Sequence, residues 1–227
     1  SVFYRDSKAY MAATKNLIDQ EKMAIVLQEV VGSKYDNLYY PAISGVSRSI
    51  NYYPIGNEKT EDGIVNMAFG LGKYIVDGNI GLRFSPLHTS NILQLSTVDL
   101  ALKETQTSFY ALDLDSVSKD VSVDDGFNLL KVRLKAAENA GPLRYLVSTY
   151  DPQDQIIRDG YYEGGRKIVS FASILQHKMF PLSDIFEKLL KAGQKEMGRP
   201  VEIEFAIDIT DQKNASFYVL QIRPIVD

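Results

Sequence analysis

Apolar and polar residues alternate with period two in the two runs that close the chain. In Val201-Glu-Ile-Glu-Phe-Ala-Ile-Asp208 an extended backbone puts Val201, Ile203, Phe205 and Ile207 on one side and Glu202, Glu204 and Asp208 on the other. In Ser216-Phe-Tyr-Val-Leu-Gln-Ile-Arg-Pro224 it puts Tyr218, Leu220 and Ile222 on the apolar side and Gln221 and Arg223 opposite. A polar link, residues 209–215, separates the runs. If they pair as a hairpin, matching apolar face to apolar face sets Glu204 against Gln221 and Glu202 against Arg223. Two carboxylates, an amide and a guanidinium then share one patch. The carboxylate oxygens suit Mg²⁺, and the guanidinium fork suits phosphate oxygens. A solvated sheet face carrying an ordinary cross-strand Glu–Arg pair fits the same pattern. Pattern alone leaves both readings open.

Upstream, residues 4–20 carry Tyr4, Met11, Leu17 and Ile18 among charges and predict a helix. Met23-Ala-Ile-Val-Leu-Gln-Glu-Val-Val31 is a near-continuous apolar run and predicts a central strand. Gly32 and Asp36-Asn37 predict a turn. Strands are expected near 42–50, 62–68, 79–84 and 107–114. Gly70-Leu71-Gly72 breaks the pattern, with one helical turn over 73–76. Residues 116–125 read as an acidic loop. Phe127, Leu130, Val132 and Leu134 predict a helix over 126–139, stopped by Gly141-Pro142. Residues 143–150 and 155–158 predict a hairpin around Asp151-Pro152, and 167–171 a strand. Over 181–197 Leu182, Ile185, Phe186, Leu189 and Leu190 form a helical stripe that Gly198 and Pro200 terminate. Helices interleaved with hairpin-linked strands predict an α+β fold with a mainly antiparallel sheet flanked by helices.

The 227 residues are 45% apolar, enough for one sizeable core or two small ones. With a net charge of −4 and both signs mixed, nothing suggests a nucleic-acid footprint or a polybasic membrane patch. No apolar run approaches a membrane span. The absence of Cys excludes disulfides, thiolate metal sites and a Cys nucleophile, and fits a cytoplasmic location. His88 and His177 are the two histidines, too few for a zinc site or a catalytic triad without partners the sequence does not offer, and they read as surface or capping residues. The start at Ser1, with no initiator Met, reads as a cut through a longer polypeptide.

Several of these segments together resemble one family. Glu202-Ile-Glu-Phe-Ala206 followed by Leu220-Gln-Ile-Arg-Pro-Ile225 is similar to the closing motif of the ATP-binding domain of phosphoenolpyruvate synthases and pyruvate phosphate dikinases. There an Asp-Ile-Glu-Phe/Trp strand precedes Leu-Gln-x-Arg-Pro, and Glu202 stands at the usual Asp. Met23–Val31 resembles the family's Val-Val-Gln-x-Met-Val segment, against which adenine lies. Ser44-Gly45-Val46 with Asn51 loosely resembles its Ser-Gly-Val strand, although Tyr52-Tyr53 separate Asn51 from Pro54. Asp62 to Gly72 resembles its Ile-Asn-Ala-x-x-Gly-Leu-Gly-Glu strand and loop. The family Glu is Lys73 here, which cannot accept hydrogen bonds from ribose hydroxyls. Either the nucleotide sits differently, or Glu61 or Asp62 substitutes, or binding is weakened.

The resemblance covers about 1–78 and 196–225, with 79–195 as an elaborated middle. It implies that residues 1–227 are the C-terminal part of an ATP-grasp nucleotide-binding domain. The implied function is to position Mg-ATP for phosphoryl transfer to a His on another domain, and from there to pyruvate. Those phosphohistidine and pyruvate-binding domains would be partners in the same polypeptide, so the isolated chain is expected to be inactive. Neither nucleic acid nor membrane is an expected partner. By resemblance Arg223 and Glu204 are the catalytic candidates, with Arg223 on the phosphates. Glu204 and Gln221 are the metal candidates. Gln28, Glu29, Val30, Val31, Glu202 and Gln221 are the nucleotide contacts. The alternative is a degenerate, non-catalytic nucleotide-binding or docking module, suggested by Lys73, the altered 44–54 strand and the enlarged middle.

Overall fold

The computed structural model describes residues 24–116, 126–138, 141–211 and 214–226. The chain divides into two compact units, Ser1–Val30 and Val31–Asp227. Of the first, residues 24–30 are described; they form neither helix nor strand, and Ile25, Val26 and Leu27 are exposed. The central strand expected over 23–31 is therefore not formed by its described residues. An apolar run supplies the burial tendency of a strand but not the neighbouring backbone that must bond to it. The helix expected over 4–20 and most of the acidic 116–125 loop lie outside the described residues.

The second unit contains β1 (Ser33–Tyr35), β2 (Leu38–Tyr40), β3 (Ile43–Arg48), β4 (Ile64–Ala68), α1 (Lys73–Val76), β5 (Leu82–Phe84), α2 (Val98–Lys103), β6 (Ser108–Asp113) and β7 (Leu129–Arg133). It continues with β8 (Val147–Asp151), β9 (Ile156–Asp159), β10 (Arg166–Val169), α3 (Ala172–Leu175), α4 (Leu182–Met197), β11 (Val201–Asp211) and β12 (Asn214–Pro224). The strands form three sheets, ordered β1-β2-β6-β7, β10-β8-β9 and β12-β11-β3-β4-β5. Every strand pair is antiparallel. The fold is α+β with mainly antiparallel sheets, the ATP-grasp-like class expected from the sequence. Among the described residues no helix is long and apolar enough to cross a membrane.

The Asp36-Asn37 turn joins β1 to β2, with Asp36 at φ 54°, a conformation that Asp and Asn tolerate better than most residues. The hairpin around Asp151-Pro152 forms as β8 and β9. The helix expected over 126–139 does not form. Leu130, Val132 and Leu134 also alternate with period two, and the edge of β6 takes Leu129–Arg133 as a strand. A 3-10 turn over Leu134–Ala137 follows. The sequence carried both periods there, and a waiting hydrogen-bonding edge decided between them.

The five-stranded sheet matters most for function. One face is apolar and lies under α4, whose buried positions are Leu182, Phe186, Leu190 and Gly193. Phe186 meets Phe205 edge-on at 4.7 Å and Phe217 at 5.5 Å, while Phe205 and Phe217 stack with their planes 9° apart. Phe205 also covers Gly45 on β3. A Cβ at Gly45 would lie 2.2 Å from the Asn66 carbonyl oxygen, so only glycine lets β3 and β4 pair there. Tyr40, Phe69 and Phe109 form a second aromatic group, with centroids 4.8–5.3 Å apart. Gly70, at φ 90°, turns the chain away from β4 against Phe109, and Leu71 N–H donates to the Tyr110 carbonyl at 2.9 Å. That turn starts α1 beside the sheet's polar face.

Phe186 is fully buried and joins helix to sheet. Phe186→Ala should destabilise the fold by about 3–5 kcal/mol. Lys188→Ala on the exposed side of the same helix should change stability by less than about 0.5 kcal/mol. Urea unfolding of the two variants beside the parent measures both.

Candidate functional site

Strand β11 is bonded to β12 on one side and β3 on the other, and this fixes what faces solvent above the sheet. The β11–β12 register pairs Glu202 with Arg223 and Glu204 with Gln221. On the other side Glu202 pairs with Arg48 and Glu204 with Val46. Val46 in turn faces Asn66 on β4, and Asn66 faces Arg83 on β5. Two transverse rows result: Arg223–Glu202–Arg48 and Gln221–Glu204–Val46–Asn66–Arg83. With Ile64 on β4 and Ile75 and Val76 of α1, the residues of these rows other than Gln221 border a pocket of about 490 Å³.

A β-bulge sits directly beside these rows. Glu204 pairs with Gln221 but Phe205 pairs with Val219, so Leu220 is the extra residue. From there the faces of β12 exchange. Tyr218, expected on the apolar side, lies opposite Ala206, and Phe217 lies opposite Ile207 and packs into the core. Strict period two cannot anticipate an inserted residue.

Glu202 is the electrostatic centre of the face. It is 5% exposed. Arg48 Nε donates to Oε2 at 2.6 Å and Arg223 Nε to Oε1 at 2.8 Å, with Arg223 Nη2 on the same Oε1. Burial raises the carboxyl's pKa, but the hydrogen bonds from Arg223 and Arg48, with their charges, outweigh it and hold it below the ordinary glutamate value. Glu204, half-buried and two residues along, lines the same pocket, and its side chain makes no hydrogen bond or salt bridge among the described residues. Arg83 is aimed by bonds from Nη2 to Asn51 Oδ1 at 2.7 Å and to the Tyr53 carbonyl at 2.9 Å. Asn51 is itself fixed by Glu58, at 3.0 Å. Asn66 Oδ1 is buried and lacks a hydrogen-bond partner among the described residues.

The structure thus brings Glu202, Glu204 and Arg223 to one pocket, with Gln221 next to Glu204 in register and exposed. Gln28, Glu29 and Val30 are exposed residues of the first unit, and Val31 is a half-buried residue of the second. Lys73 reaches Asp77 at 2.9 Å. Asp62 accepts the Lys59 N–H at 2.7 Å and meets His88 at 3.1 Å, which engages it within its own loop, while Glu61 is exposed. His177 contacts Asp159 at 3.1 Å. The sequence reading did not single out Arg48, Asn66 or Arg83. Arg48 has the right parity, two residues beyond Val46 and four beyond Ser44. Only the order of strands in the sheet sets it beside Glu202.

Because the Glu202 carboxyl titrates lower in the folded chain than in the unfolded one, its ionised form stabilises the fold. That contribution is complete above the ordinary glutamate value, near pH 4.5, and is lost as pH falls through the depressed folded value. Glu202→Gln should lower the melting temperature by several degrees near pH 7. The gap to the parent should narrow as pH falls below the ordinary glutamate value and close once pH is below the depressed folded value, where the parent carboxyl also becomes neutral. Thermal melts across pH test this, and a gap that widens in acid would contradict it.

A family model described as the pyruvate phosphate dikinase AMP/ATP-binding domain matches residues 1–227. No curated protein matches the chain. The match spans the whole sequence, and the closing Glu-Ile-Glu-Phe and Leu-Gln-x-Arg-Pro strands lie side by side on the polar face of the main sheet. The chain belongs to the pyruvate phosphate dikinase AMP/ATP-binding domain family.

Proposed function

We propose that this chain positions Mg-ATP in a dikinase of the phosphoenolpyruvate synthase or pyruvate phosphate dikinase type, for phosphoryl transfer to a His on another domain and then to pyruvate. The observation that carries the reading is the convergence of Glu202, Glu204 and Arg223 on one pocket, with Gln221 paired to Glu204, in a chain of an AMP/ATP-binding family. Arg48, Arg83 and Arg223 give the pocket three guanidiniums against two carboxylates, a balance that favours a polyanion.

In this reading Arg223 contacts the phosphates, and its charge offsets the negative charge of the transferring phosphoryl group. Glu202 holds that guanidinium beside the pocket. Glu204, whose side chain makes no hydrogen bond or salt bridge among the described residues, and Gln221 supply oxygens to Mg²⁺. Among the described residues no three His, Cys, Asp or Glu side chains cluster as a metal set, so phosphate and water oxygens would complete the shell, as is usual for this ion. Bound there, the ion would neutralise phosphate charge. By the family resemblance, residues 28–31 are the candidates for the adenine contacts. The site is proposed to act in the cytoplasm.

A second reading, a degenerate module that binds or docks without catalysis, is favoured by two ion pairs. Arg223 is ion-paired with Glu202, and Lys73, standing at the family's acidic position, is ion-paired with Asp77. Calorimetric titration of ATP with Mg²⁺ into the full-length protein separates the two. Arg223→Ala should weaken binding roughly tenfold or more. Glu204→Gln should lower turnover while leaving the melting temperature near that of the parent. A folded wild-type protein that binds no ATP at millimolar nucleotide would leave only the degenerate module.

The acceptor assignment has its own test. The isolated chain, incubated with labelled ATP and Mg²⁺, should remain unlabelled, since His88 and His177 each face a carboxylate of their own surroundings rather than the pocket. Stable label on either histidine would place the chemistry within this chain.

A further inference from the structure

Glu202 holds two guanidiniums on two different oxygens. Arg48 takes Oε2 and Arg223 takes Oε1. The Glu202 side chain is 7% exposed, whereas those of Arg48 and Arg223 are 48% and 58% exposed. The carboxylate is thus fixed in the sheet, and both cations have a side turned to water. Arg48 stands on an interior strand and Arg223 on the edge strand β12. Both border the pocket under Glu204 and also an adjoining one of about 450 Å³, which Tyr52, Pro224, Ile225 and Val226 line.

A buried carboxylate that loses its counter-charge is strongly disfavoured. If Arg223 were the sole partner, turning it toward a phosphate would strand Glu202. With Arg48 still on Oε2, Glu202 stays paired after Arg223 leaves. We infer that Arg48 is a positioning residue that keeps Glu202 neutralised and so releases Arg223 to bind the phosphates of a polyphosphate ligand. The inference rests on the reading of Arg223 as a phosphate contact. Arg48 acts through Glu202 in this scheme and does not touch the ligand. The ligand class is a polyphosphate chain, which meets Arg223 as the guanidinium turns from one oxyanion to another.

Titration of Mg-ATP and of magnesium tripolyphosphate, which lacks the nucleoside, into the full-length protein tests this. Arg48→Met should weaken both ligands roughly tenfold or more, because Arg223 is then retained by an otherwise unpaired carboxylate. Glu202→Gln removes that charge. Arg48→Met/Glu202→Gln should therefore bind as Glu202→Gln does. Thermal melts establish which variants are folded. If Arg48→Met unfolds, a double variant weaker than Glu202→Gln still overturns the inference, since neither contains the stranded charge.

A double variant weaker than Glu202→Gln would mean that Arg48 touches the phosphates itself, which overturns the inference. A folded Arg48→Met that binds like the parent overturns it as well. Arg223→Ala, measured in parallel, isolates the underlying reading. If that change leaves both affinities unaltered, Arg223 is not a phosphate contact and both statements fall. If it weakens them while Arg48→Met does not, only the role of Arg48 falls.

Discussion

Backbone pairing of β11 on both edges is the constraint on which this molecule depends. The strand lies between β12, its hairpin partner, and β3, which is more than 150 residues earlier in the chain. Its odd-numbered positions, Val201 to Ile209, carry the apolar face, and Phe205 and Phe217 lock that face to α4 through Phe186. The even-numbered positions Glu202 and Glu204 are thereby fixed toward the other side. A one-residue slip would bury both carboxylates under α4 and part Glu202 from its guanidiniums. Core packing therefore sets the chemistry of the pocket.

That pocket stores opposing tendencies. Desolvation works against an ionised Glu202, and the two arginines reverse the balance. Glu204 keeps its oxygens available. Arg83 is held away from both carboxylates by Asn51 and the Tyr53 carbonyl, and Asn51 is fully buried and braced by Glu58. The loop after β3 thus serves to aim a guanidinium from β5. The bulge at Leu220 adds a second device. It ends the aligned polar rows and returns β12 to the core through Phe217.

The family resemblance and the geometry meet at some residues and part at others. The closing motif is where sequence and structure agree most closely, because a hairpin's register is local and its parity can be counted. Gly70-Leu71-Gly72 also behaves as its glycines require, with Gly70 in a conformation other residues rarely adopt. Lys73 departs from the family, and its ammonium is directed along its own helical turn to Asp77. Residues 24–31 carry the composition of a buried strand without forming one, and 129–133 form a strand inside a predicted helix. In both segments burial tendency was legible, but the partner was not.

The sequence by itself determined the α+β class, the boundaries of α4, the turns at Asp36-Asn37 and Asp151-Pro152, and the pairing of Glu202 with Arg223 and Glu204 with Gln221. Each of these depends on neighbours a few residues to about twenty apart, where periodicity and turn chemistry suffice. Tertiary structure decided that β3 lies on the far edge of β11, which brings Arg48 to the second oxygen of Glu202 and carries the row on to Asn66 and Arg83. It also decided that Phe217 rather than Tyr218 faces the core. Strand order and bulges arise from competition among many possible hydrogen-bonding edges. No local pattern records which edge wins.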